Sequence, residues 1–183
     1  MRFIVPLLLA IALVAVQPLP ARAQSGEATL GLGLGMGSAT VADARKAASA
    51  AGARETAATV SAINQGDMLT FSGDFGLEGL QETTLIFDPS GKLVCALLDL
   101  GKHRYDAVLA ALKGKYRLEN EVRPFVGNRS ARLRSGDVQI VAESPHLSFE
   151  MSVTYARDVF WRQLADLKGR QAEAQRKAES SRL

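Results

Sequence analysis

The sequence predicts an α+β protein: an antiparallel sheet made from two helix-strand-strand-strand units, the helices on one face, with a further helix at the C-terminal end. Three patterns predict it. Residues 147–155 alternate strictly, with Leu147, Phe149, Met151, Val153 and Tyr155 apolar and every intervening position polar, the period of a strand with one buried face. Residues 83–87 and 93–98 flank Asp88-Pro89-Ser90-Gly91, where proline and glycine stand at turn positions that suit them, so the two runs form a hairpin. Tyr105, Val108, Leu109, Leu112 and Tyr116 fall at helical spacing on one stripe.

Taken in order, residues 1–23 read as a secretory signal peptide. One cation, Arg2, precedes an apolar run over 3–16, and the segment closes on Ala21-Arg22-Ala23. The run is shorter than the roughly 20 residues of a spanning helix, and Pro18 and Pro20 follow it, so cleavage is expected and no transmembrane segment after it. No cysteine follows the run to accept a lipid. The alanine-rich composition and the Ala-x-Ala ending suggest a bacterial periplasmic or secreted protein. Residues 24–183 are then enough for one domain with a modest core. The formal charge of +3 falls to +1 without Arg2 and Arg22, which together with export argues against nucleic acid as a partner. The single cysteine, Cys95, closes no intramolecular disulfide, so packing has to hold the fold.

Residues 24–37 form a glycine-rich lead-in, expected to be flexible or a poorly packed edge strand. Its Gly31, Gly33, Gly35 and Gly37 miss the Gly-x-Gly-x-x-Gly dinucleotide pattern. Thr40 with Asp43 matches a capping box, and the alanine-rich 41–51 should be a helix stopped by Gly52. Having Val41 as its only large apolar residue, that helix must lie very close to its sheet or be loosely held. Residues 54–62 are ambiguous, 68–71 read as a short strand and 73–79 as a loop. Residues 93–98, apolar on both faces, should be a central strand.

After the helix over 105–116, a polar loop is expected over 118–129. Residues 131–134 then begin a strand that turns at Ser135-Gly136-Asp137 into 138–143, and the strand over 147–155 pairs with it antiparallel. The domain therefore spans 38–167, with units over 38–99 and 104–155 and a final helix carrying Phe160, Leu164 and Leu167 on one face. Residues 168–183 lack an apolar face and should be a solvated helix end or a disordered tail. Leu85, Phe87, Leu97, Leu109, Leu112, Phe149, Met151 and Val153 are the expected core.

Gly35-Met36-Gly37 leading into an alanine-rich helix that ends in glycine, followed by a strand and a strong hairpin, resembles the small periplasmic domains of the SmpA/OmlA outer-membrane-assembly lipoproteins. Tandem units of that kind also build the secreted beta-lactamase-inhibitor proteins. The resemblance covers residues 35–98. It implies a non-catalytic protein that works by contact, while the missing lipidated cysteine departs from the lipoprotein pattern.

No catalytic, metal or cofactor site is expected from the residues. His103 and His146 are far apart, and neither has a cysteine or histidine at ligand spacing. No Gly-x-Ser-x-Gly elbow is present. Cys95, inside an apolar strand, reads as a small hydrophobe. One cluster stands above this background: Arg123, Arg129, Arg132 and Arg134, with Phe125 among them and Gly127-Asn128 making the loop adaptable. They are either solvated charges that protect a sheet edge or a surface that grips an acidic partner or anionic headgroups. The function expected is thus an exported, non-catalytic interaction or binding module acting on another envelope protein or a small anionic envelope ligand. An inhibitor or regulator of an exported enzyme is the alternative, and a hydrolase without a recognisable motif stands third.

Overall fold

The computed structural model describes residues 28–180, and the expected signal peptide lies outside them. The chain runs α1 (Val41–Ala51), β1 (Arg54–Val60), β2 (Asp67–Ser72), β3 (Leu80–Phe87), β4 (Leu93–Gly101), a 3-10 turn (Lys102–Arg104), α2 (Tyr105–Lys115), β5 (Arg117–Val122), β6 (Arg129–Ser135), β7 (Val138–Ser144), β8 (Glu150–Arg157) and α3 (Asp158–Ser180). The strands form a single eight-stranded sheet in the order β1-β2-β3-β4-β8-β7-β6-β5, antiparallel at every step. Each half is a helix followed by a four-stranded meander, and the halves meet through their last strands. That arrangement relates them by an approximate two-fold axis through the β4–β8 ladder, perpendicular to the sheet.

Alternation along the strands sends one set of side chains to each face. Leu85 and Phe87, Ala96 and Leu98, Met151 and Val153, and Ile140 and Leu133 line the face covered by α1 and α2. Ile86, Cys95 and Ala156 face the other way and pack with Phe160 of α3. The α1 helix starts with the full capping box, Thr40 Oγ1 accepting from the Asp43 N–H while Asp43 accepts from the Thr40 N–H, and ends at Gly52 in the left-handed region at φ 72°. It meets the core with Ala44 and Ala48, side chains small enough to bring its backbone close to the sheet.

Four expectations are corrected. The units hold four strands each, not three. The additional strands, β1 in the ambiguous 54–62 and β5 inside the expected polar loop, are the two sheet edges. Every residue of β1 is exposed, as is all of β5 apart from Glu121, so no buried face imposes a period-two pattern on either. The glycine-rich lead-in, as far as it is described from residue 28, is packed and not flexible: Ala28, Leu30, Leu34 and Met36 are buried. A turn closed by the Leu30 N–H on the Leu34 carbonyl, with Gly33 at φ 73°, aims those side chains at the core. Phe149 is 94% exposed, because β8 begins only at Glu150. The Glu150 N–H is taken by Ser148 Oγ, and the Phe149 carbonyl by the Lys102 N–H, which bends the chain just before the strand. Leu97 is half-buried, since it lies on the open face beyond the reach of α3.

The rest of the expected core, Leu85, Phe87, Leu109, Leu112, Met151 and Val153, is buried. The α3 helix continues to Ser180, exposed from Lys168 onward. Among the described residues no helix is long and apolar enough to cross a membrane.

Candidate functional site

Three connections meet at one end of the sheet: residues 123–128 between β5 and β6, residues 145–149 between β7 and β8, and the 3-10 turn after β4. Backbone groups lace them together. Lys102 Nζ donates to the carbonyls of Pro145 and His146, both at 2.7 Å, and the His146 N–H donates to Asn128 Oδ1 at 2.8 Å. The Lys102 ammonium therefore stays beside both loops.

Asp106, in the first turn of α2, gathers two arginines. Arg123 Nη2 lies 2.7 Å from its Oδ1 and Arg129 Nη1 3.5 Å from its Oδ2. Arg129 also stacks its guanidinium over the Tyr105 ring at 4.5 Å, a cation–π contact that holds the charge against the buried aromatic. Between these groups opens a recess of about 440 Å³ lined by Lys102, Arg123, Pro124, Phe125, Gly127, Arg129 and His146. Three permanent cations and an imidazole converge on it with no carboxylate in its wall. Such a recess can hold an anion through forked and single charge-assisted hydrogen bonds.

The arginine cluster of the sequence is divided by the sheet. Arg123, Phe125 and Arg129 belong to the recess on the α2 side. Arg132 and Arg134 project from the opposite face, with the intervening Leu133 fully buried. Arg134 is tied to Glu119 at 3.1 Å and to Asp158 at 3.0 Å, and its hydrogen bond with Asp158 holds its pKa above the usual guanidinium value. It joins the β5 edge to the start of α3 and is a structural residue. Arg132 pairs with no carboxylate among the described residues. Lys102 and His146, which complete the recess, escape sequence reasoning because each reaches it from a different connection. The only local signal for either is a basic Lys-His-Arg run after an apolar strand.

Two other surfaces bear on function. On the open face, Glu82, Asp99 and Glu150 stand close together, and Asp99 has its pKa raised by burial and then by Glu82 and Glu150. Under α2, an apolar crevice of about 100 Å³ lies against Leu98, Leu100, Val153 and Tyr155. Its Tyr116 hydroxyl is already engaged with the Thr29 carbonyl at 2.8 Å. Burial pushes the Cys95 thiol up to about 12, far from the range of a reactive thiolate. Among the described residues no group of three or more His, Cys, Asp or Glu is placed to hold a metal ion. No family model, no curated protein and no solved structure matches the chain.

Proposed function

We propose that the protein is an exported, non-catalytic binding module of the bacterial envelope, periplasmic or secreted, and that it grips an anionic group in the recess beside Phe125. The observation that carries this reading is the convergence of Lys102, Arg123, Arg129 and His146 on one concave wall, drawn from three separate connections. Asp106 supports it from behind: it engages one Nη of each arginine, and among the described residues no other carboxylate pairs with either. Export is supported by the character of residues 1–23.

A suitable probe is glycerophosphoglycerol, a phosphodiester with no acyl chain. In an NMR titration it should shift the amide resonances of Lys102, Gly127, Arg129 and His146. Arg123→Ser should weaken binding about tenfold, the loss of one charge-assisted contact. Arg132→Ser removes a cation from the opposite face and should leave binding unchanged. Equal loss in both variants would reduce the effect to overall charge, and the absence of any titration would remove the recess as a binding site.

A further inference from the structure

The two-fold arrangement exposes an asymmetry. In the first unit, the connections 61–66 and 88–92 are the counterparts of 123–128 and 145–149 in the second. The first pair is compact, and its connection 61–66 is packed into its own chain, with Ser61, Asn64 and Gly66 buried. Asn64 Nδ2 donates to the Phe87 carbonyl at 2.9 Å, Gly66 lies against that same carbonyl too closely for any side chain, and Ile63 packs against the cluster of Ile86, Val94 and Cys95 that Phe160 of α3 joins. The second pair has its apolar side chains open to solvent. It carries Phe125 at 105% exposure, Leu147 at 92% and Phe149 at 94%, with Val126 beside them at 66%. These side chains stand on convex loop tips, next to the cationic recess.

We infer that this end of the molecule docks on the surface of an anionic bilayer, Phe125, Leu147 and Phe149 entering the boundary between headgroups and acyl chains while the recess holds a lipid phosphate. The inference rests on the anion-binding reading of the recess and names the source of the anion. Apolar side chains on protruding tips beside cations are suited to a soft interface that closes around them, where burial and attraction to negative lipids add. The charge distribution also fixes an orientation. Lys102, Arg123 and Arg129 lie on the α2 side of this end, with Asp106 as counterion to the two arginines; on the open face Glu82, Asp99, Glu143 and Glu150 outnumber Arg132, while Arg134 there is already paired with Glu119 and Asp158. The molecule therefore tilts its helix side toward the lipid and turns the acidic face away. A second copy offers no equivalent cover, because its projecting α3 is exposed from Lys168 onward and has no apolar face there.

The test uses the processed protein recovered from the periplasmic fraction, its N-terminus established by mass spectrometry. It is sedimented with vesicles of phosphatidylglycerol, of phosphatidylcholine, and of equal parts of both. Binding should require phosphatidylglycerol and weaken as salt is added. The double variant Leu147→Ser, Phe149→Ser, at two tip positions outside the recess lining, should lose vesicle binding by about tenfold or more yet titrate with glycerophosphoglycerol as the parent does. Its thermal unfolding should match the parent, since both side chains are outside the core. Phe125→Trp should show blue-shifted emission on phosphatidylglycerol vesicles, against the constant background of the single native Trp161 at the far end.

If the soluble phosphodiester binds but vesicles do not, or if the double variant sediments like the parent, bilayer docking is overturned and the recess reading stands. If neutral and anionic vesicles bind alike and the phosphodiester does not, the recess reading itself has failed. Crosslinking of the tips to another protein without vesicle binding would likewise overturn docking, in favour of a protein partner.

Discussion

Asp99 is a carboxylate held where charge is costly. Half-buried in β4, it faces Glu82 across the strand pair, and its pKa is raised by burial first and then by Glu82 and Glu150. The folded chain therefore binds this proton more tightly than the unfolded chain does. Its contribution favours folding below the ordinary carboxylate range and is lost as pH rises through the raised value. Asp99→Asn should accordingly raise the unfolding temperature at neutral pH and make no difference in acid, as calorimetry at the two pH values would show. Leu133 and Phe149 give a second contrast between single residues. Leu133 is fully buried, and Leu133→Ala should cost about 2–5 kcal/mol in denaturant unfolding. Phe149→Ala should stay within about 0.5 kcal/mol, because the ring touches solvent and not the core. In the sequence, Phe149 continues the alternation of Met151, Val153 and Tyr155 without a break. Hydrogen bonds from Lys102 and to Ser148 end the strand one residue short of it, and no period can reveal them.

The elements differ in how firmly they are held. Strands β4 and β8 lie at the centre of the sheet, apolar on the helix side and partly covered by α3 on the other. Strands β1 and β5 have a neighbour on one side only and are exposed. Native-state hydrogen exchange should find the slowest amides in β4 and β8 and the fastest strand amides in β1 and β5, with protection rising inward through β2 and β6. Comparable protection in β1 and β4 would contradict this ranking. The same gradient explains which elements are legible in the amino-acid order. The buried strands, the Asp88–Gly91 turn, the α1 cap and the α2 stripe each answer to a local rule, so their residues announce them. The edges have no buried face to write a pattern, and their ties are lateral ion pairs such as Arg45–Glu55 and Arg134–Glu119. The lead-in misleads for a related reason. Its glycines suggest freedom, while Leu30, Leu34 and Met36 between them supply the anchoring.

For the whole molecule, the site is only half legible: Arg123, Phe125 and Arg129 cluster in the chain, whereas Lys102 and His146 join them through the closing of the sheet. That closing happens at one place. Every neighbouring pair of strands is consecutive in the chain except β4 and β8, whose ladder runs from Cys95 opposite Ala156 to Gly101 opposite Glu150. The other ladders can form through short connections, but this one must close a loop containing the rest of the second unit. A conservative truncation at the seam, Val153→Ala, should therefore slow refolding in stopped-flow experiments more than it speeds unfolding. Leu69→Ala in β2 should do the reverse. The pace of folding is then governed by the search of one finished half for the other, and the recess comes into existence only when that search ends.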